Sequence, residues 1–434
     1  MKKSIIVSLM VMIIIFGFIQ GVQARPKDVK LEWWTVQAGD KPIINYWNYI
    51  VEEFEKKYPN VKIERVDMID EDFKTTLRSS MAAGVPPDIW FSWGGGILKS
   101  YVDAGCVADL TDLLNEPWAV EMVPRSALSQ SSFYGKHFAF PVTFVAVHFY
   151  INTDLFDKCG LKVPEEPWSW EDFKKAINVF KANNIIPITI GAKEKWELSL
   201  HYLYLVDRIG GSEIFTKTIN RKPGYSFEDP VFIEAGERIR ELVKLDAFQK
   251  GFLGTGYTEA QRLFFEGKVA MYLMGNWIVS SLKNDYPEFP LDIMPFPIIP
   301  GGKGDPTMLG AALQDHWCIS EASKHKKEAM DLLRFMFKKE NIIKYINDVG
   351  KLVVFNVDTP PGAYEPVLEK VRKDITKASW CQPPWDQYSP PKFASVHLDN
   401  VACLFAGKVT PEEMAIAQEK CAQELEKEGI LPLE

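Results

Sequence analysis

Four tryptophans carry the first chemical signal in the chain. Trp34, Trp93, Trp196 and Trp277 each fall at or just beyond the end of a stretch that reads as strand, with Gln37, Asp40, Glu197, Asn276, Gln314 and Asp315 beside them in loops. An indole plane covers an apolar face of C–H groups, while amides and carboxylates satisfy a rim of hydroxyls, so the set suits a pyranose or a cyclitol. The same residues allow a second chemistry: Glu197 and Asp315 could act as acid and nucleophile or base in glycoside cleavage, a choice decided by their separation. Each Trp singly has core packing as its alternative, and each carboxylate a solvated loop position.

Other chemistries are excluded more simply. Trp93 is followed by Gly94-Gly95-Gly96 and then Ile97, so the Gly-Lys-Ser/Thr ending of a phosphate loop is absent, as is G-x-G-x-x-G spacing. There is no G-x-S-x-G for a serine hydrolase. The six His lack H-x-x-x-H spacing and the six Cys lack C-x-x-C, so neither a metal site nor a cofactor is expected. With 47% hydrophobic and 25% charged residues, the 434-residue chain has a globular balance and room for two domains or more. Its net charge is −8; without residues 1–24, which include Lys2 and Lys3, 48 basic residues face 58 acidic ones and the net becomes −10. That disfavours a nucleic-acid partner.

Residues 1–24 read as a secretory signal peptide: Lys2-Lys3, an apolar run of roughly 15 residues from Ile5 to Ile19, then Val22-Gln23-Ala24 as a small-residue cleavage site. A soluble, extracytoplasmic mature protein follows, with retention as an anchor the alternative.

The elements that would hold the tryptophans alternate between strand and helix. Leu31–Thr35 reads as a strand, Ile43 to Phe54 as a helix, Val61–Val66 as a strand, Glu71–Ala83 as a helix and Ile89–Phe91 as a buried strand. This βαβαβ order implies a parallel sheet, whose ligands sit outside the carboxyl ends of its strands. There Gly94 and Gly95 let backbone approach an occupant. The long β-prone run Val142–Ile151 suits a strand passing from one lobe to another, with a hinge at its start. A second α/β lobe follows, with Trp196 and Trp277 at strand ends. Thr258 and Thr410 look like helix caps, the latter opening a mostly solvated C-terminal helix, and Trp385 lies in an irregular aromatic stretch.

Four segments in order resemble the extracellular solute-binding proteins of ABC importers: Trp93–Gly105, Tyr150–Phe156, Trp168–Phe173 and Phe264–Trp277. The resemblance implies the type II periplasmic-binding-protein fold, two α/β lobes with a hinge and an interlobe cleft. It divides the chain into lobe one (25–143), lobe two (144–306), a return to lobe one (307–340) and a C-terminal lobe-two segment (341–434). It implies a carbohydrate or polyol ligand held by Trp34, Gln37, Asp40, Trp93, Gly94, Gly95, Trp196, Glu197, Asn276, Trp277, Gln314, Asp315 and Trp385, and delivery by a monomer to membrane permease subunits. By motif position Trp277 matches the family's stacking Trp of lobe two. Val145 stands about where maltodextrin-binding members carry a sugar-contacting carboxylate, which counts against a maltodextrin. A secreted carbohydrate-active enzyme and a binding protein for a non-sugar solute are the alternatives.

Overall fold

The computed structural model describes residues 28–433, so the expected signal peptide lies outside the described residues. Alternation of Val29, Leu31, Trp33 and Thr35 buries every second side chain of the strand Val29–Thr35. This strand pairs in parallel with Val61–Asp67 on one edge and Ile89–Ser92 on the other, as the βαβαβ order requires. A fourth strand, His316–Ile319, joins Ile89–Ser92 antiparallel. Ile89–Ser92, thus paired on both edges, is buried at every position. The helix Lys41–Lys57 starts at Asp40, whose side chain accepts from the Ile43 amide, and buries Ile43, Tyr46, Trp47, Ile50 and Phe54.

Lobe two is built on a six-stranded sheet. The ten-residue strand Thr143–Asn152 lies at its centre, antiparallel to Leu309–Gln314, Val269–Gly275 and Leu291–Met294. Ile186–Thr189 extends the sheet beyond Val269–Gly275, and Cys381–Gln382 closes the other edge. Nine of the ten residues of Thr143–Asn152 are buried, which explains a sequence run with no polar alternation.

Among the described residues the chain crosses between the sheets three times, and the crossings are hydrogen-bonded to one another. Phe140 exchanges two backbone bonds with Trp317, both 2.9 Å, while Val142 donates to Gln314 at 3.4 Å. On the other side Phe144 donates to Leu352 and Val354 to Val142, each at 3.0 Å. Two expected boundaries move accordingly. Leu309–Gln314 belongs to the lobe-two sheet, so the return to lobe one comes at Asp315, whose φ of 53° turns the backbone between the two pairings. The helix Lys339–Val349 packs on lobe one, with Tyr345 edge-on to Tyr46 at 5.0 Å and the Tyr46 hydroxyl donating to the Asn341 carbonyl, so the final lobe-two segment starts after the third crossing.

Local signals fared unevenly. Thr410 makes the expected capping box with Glu413, but the helix it opens, Pro411–Lys427, buries Met414, Gln418, Cys421 and Leu425 and is not mostly solvated. Thr258 lies inside the helix Tyr257–Phe265, which has Gly256 at its N-cap.

The glycines after Trp93 also have a different purpose from the one expected. Gly94 and Gly95 do not line the cleft. A Cβ on Gly94 would stand 2.8 Å from the His316 ring, one on Gly95 2.8 Å from the Gln387 carbonyl oxygen, and one on Gly96 would collide with the Ser389 carbonyl. What approaches Gly95 and Gly96 is therefore the C-terminal segment of lobe two, backbone to backbone, while Gly94 meets His316 and the Gln130 carbonyl of lobe one. Gly96→Ala is expected to cost on the order of 1–3 kcal/mol of stability through overpacking, seen as a lower urea midpoint; an unchanged midpoint would contradict the contact.

Candidate functional site

The two lobes enclose a cleft of about 1660 Å³. On the lobe-one wall, Trp93 stands at the end of Ile89–Ser92, held edge-on by Phe91 at 4.9 Å and Phe73 at 5.9 Å. The Lys74 ammonium lies 5.0 Å over its ring. Gln37 and Asp40 come from the loop after Val29–Thr35 and also line the cleft.

The lobe-two wall is an aromatic corner. Trp196 starts the helix Trp196–Gly210, with its ring centroid 5.6 Å from Tyr257 and 6.0 Å from Trp277. Trp277 folds back over Gly275, where any Cβ would collide with the indole. Gln314, Asp315 and Lys351 form the hinge side of the cleft, and Asp386 and Gln387 enter from the C-terminal segment. The Gln314 amide donates to Gln387 Oε1 at 3.2 Å, which joins those two sides. Across the mouth, the Ser280 hydroxyl donates to Asp40 Oδ2 at 3.4 Å and Lys41 lies 3.5 Å from Asp285.

Trp93, Trp196, Trp277, Gln37, Asp40, Asn276, Gln314 and Asp315 thus meet in one cavity, and Val145 lies on its wall. Besides Gly94 and Gly95, three expected residues do not. Trp34 sits one residue before the end of its strand, and its indole donates to Glu32 Oε1 at 2.7 Å on the sheet face. Trp385 is fully buried, stacked on Phe215 at 4.0 Å, and its neighbour Asp386 faces the cleft instead. Glu197 points into lobe two: its Oε2 accepts from the Gly191 amide at 2.8 Å and it is 1% exposed. Asn276 lines the cleft with its side chain committed, accepting from the Ala146 amide and donating to the Phe144 carbonyl.

Sequence reading missed Lys74, Asp70, Tyr257, Lys351, Asp386 and Gln387, all on the cleft wall. The spacing of Asp70, Glu71 and Lys74 signals a helical ion-pair group, but only the tertiary fold turns it toward Trp93. Burial pushes the Asp386 carboxyl up to about 6 against the Lys74 charge, and also raises Asp70 and Asp315. Among the described residues, no group of three or more His, Cys, Asp or Glu is placed to hold a metal ion.

The sequence profile of the bacterial extracellular solute-binding proteins matches residues 40–343. The chain belongs to that family. An uncharacterized ABC transporter extracellular-binding protein of Pyrococcus horikoshii is 28% identical over 77% of this chain and 80% of its own. The Multiple sugar-binding protein of Streptococcus mutans is 24% identical over 76% and 77%. Among solved structures, a protein from a study of xylan utilization by Caldanaerobius polysaccharolyticus superposes with a TM-score of 0.84 and 29% identity, covering 90% of this chain and 99% of that one. A chitin oligosaccharide binding protein gives 0.84 with 24% identity over 92% and 98%. The two-lobed α/β architecture of this solute-binding protein is therefore the family's own. Among the described residues no helix is long and apolar enough to cross a membrane.

The position of Glu197 has a measurable consequence. Burial raises its carboxyl from 4.5 to about 8, so the folded state holds a proton that the unfolded chain releases between those values. Stability then falls as pH rises through that window, by at most about 1.4 kcal/mol per pH unit. Glu197→Gln removes this pH dependence. Urea midpoints at pH 5 and pH 8 are expected to separate more for the wild type than for the variant; equal separations would place Glu197 in water.

Proposed function

We propose that this protein is the extracytoplasmic receptor of an ABC importer, capturing a mono- or short oligosaccharide, or a polyol, between its lobes and handing it to membrane permease subunits. The reading is carried by one observation: aromatic rings stand on both walls of a single cleft, Trp93 on lobe one and Trp196 with Trp277 on lobe two, with Gln37, Asp40, Gln314 and Asp315 between them. Rings on opposite lobes favour a ligand that closes the cleft, because only an occupant touching both walls gains from both. Sugar-binding relatives support the ligand class, and the Caldanaerobius neighbour makes xylan-derived oligosaccharides a leading probe.

The function proposed is binding without turnover, by a monomer, in the periplasm or an equivalent compartment after removal of residues 1–24. The glycosidase that the sequence suggests would need Glu197 and Asp315 to flank one scissile bond. Asp315 faces the cleft, but Glu197 is buried in lobe two with its Oε2 on the Gly191 amide.

Calorimetric titration with xylo-oligosaccharides, chitin oligosaccharides, galactose and polyols is expected to give one-to-one binding, with ligand recovered intact by chromatography. Trp277→Ala is expected to weaken that binding by about 5- to 150-fold, the equivalent of about 1–3 kcal/mol for a lost stacking ring. Unchanged affinity in a folded variant removes Trp277 from the site, and cleaved sugar overturns the receptor reading.

A further inference from the structure

The charged groups of the cleft narrow the class of ligand. Two ammonium groups among the described residues reach its inner wall, and carboxylates flank both. Lys74 lies 3.0 Å from Asp70 and 2.9 Å from Glu71, and it faces the charge of Asp386. Lys351 lies 3.8 Å from Asp40 and 3.8 Å from Asp315. At the rim, Lys41, Lys195 and Arg262 pair with Asp285, Asp399 and Glu266. Arg78 and Lys193 are exposed there. Among the described residues, an anionic ligand group would have to share either inner ammonium with the carboxylates already beside it.

The polar atoms that do remain inside ask for a particular partner. Gln37 is 7% exposed, its Oε1 is taken by the Trp47 indole N–H at 2.6 Å, and its Nε2 makes no hydrogen bond within the described residues. Asp315, also 7% exposed, has an Oδ2 with no hydrogen bond of normal geometry, the Lys351 ammonium lying 3.8 Å away and the Thr143 hydroxyl also acting on its carboxyl. Both atoms are sealed from solvent, so the wall holds an unpaired donor and an unpaired acceptor, and Asp386 adds a second buried carboxylate on the side joined to Asp315 through Gln314 and Gln387. A sugar hydroxyl both donates and accepts and can complete either group. A carboxylate accepts only: it leaves Asp315 and Asp386 unpaired and brings a third negative charge beside them, in surroundings where charge is poorly screened.

Resting on the carbohydrate reading above, we infer that the cleft selects uncharged sugars against their uronic-acid counterparts, with Asp315 and Asp386 setting that selection.

The test pairs each neutral probe with its carboxylated form: xylotriose with xylotriose bearing a glucuronic acid, and galactose with galacturonate, titrated calorimetrically near neutral pH at low salt. For a pair whose neutral member binds, the uronate is expected to bind about 30-fold more weakly or worse. Asp315→Asn and Asp386→Asn, with folding checked by thermal unfolding, are each expected to narrow that gap by about tenfold. Uronates binding as tightly as the neutral sugars would overturn the inference and leave the carbohydrate reading standing. A gap that neither Asn variant changes would overturn the assignment to these two residues. Failure of every neutral and acidic sugar to bind would overturn both readings.

Discussion

The structure depends on the backbone hydrogen bonds among its three crossing segments. Phe140 to Phe144, Gln314 to Trp317 and Leu352 to Val354 lie side by side, so neither lobe is free to drift from the other and relative motion is confined to the bending of these strands. Each lobe has aromatic packing close to this point. On the lobe-one side, Trp317 meets Trp33 at 5.1 Å and Trp47 at 5.6 Å, all edge to face. On the lobe-two side, the Asn276 amide clamps Phe144 and Ala146 just past the crossing and carries Trp277 on the next residue. Hinge and ligand wall are therefore one structure: whatever moves Phe144 moves the loop that presents the indole.

This arrangement explains the mixture of residues in the cleft. Those nearest the crossings, Gln314, Asp315 and Lys351, are held by sheet ends and are largely buried, while the aromatic walls belong to loops further out. Asp315 shows the cost of the position. Its backbone adopts φ 53° to change sheets, and its carboxyl is buried with a distant ammonium and the Thr143 hydroxyl for company. A side chain left so incompletely paired in a solute-binding protein is consistent with a partner that arrives with the ligand.

Much of this was legible in the sequence, and what was not has physical reasons. The strand at Leu31–Thr35, the helical spacing of apolar residues from Ile43 to Phe54 and the apolar run from Val142 describe real strands and a real helix because local pattern and burial agree there. The family resemblance rested on similar ground, segments such as Phe264–Trp277 in which strand, turn and site residue are contiguous. Side-chain direction was the weak point. Trp34 and Trp93 look alike in sequence, yet Trp34 lies within its strand while Trp93 lies beyond the end of its own. Trp385 drew attention and Asp386 did not, because an indole reads equally as wall or core until Phe215 is seen stacked on it. Gly94 to Gly96 signalled a close approach correctly but could not name what approaches. Lys74 and Lys351 reach the cleft through contacts between segments remote in the chain, which no local window contains.

The central claim is that a carbohydrate is held by both lobes at once, and a crystal structure of the protein with a bound neutral sugar tests it most directly. The account predicts a sugar ring in the cleft with one face against Trp277 and hydroxyls on Gln37 or Asp315, touching residues of both lobes. A sugar bound to one lobe alone, or outside the cleft, would contradict it.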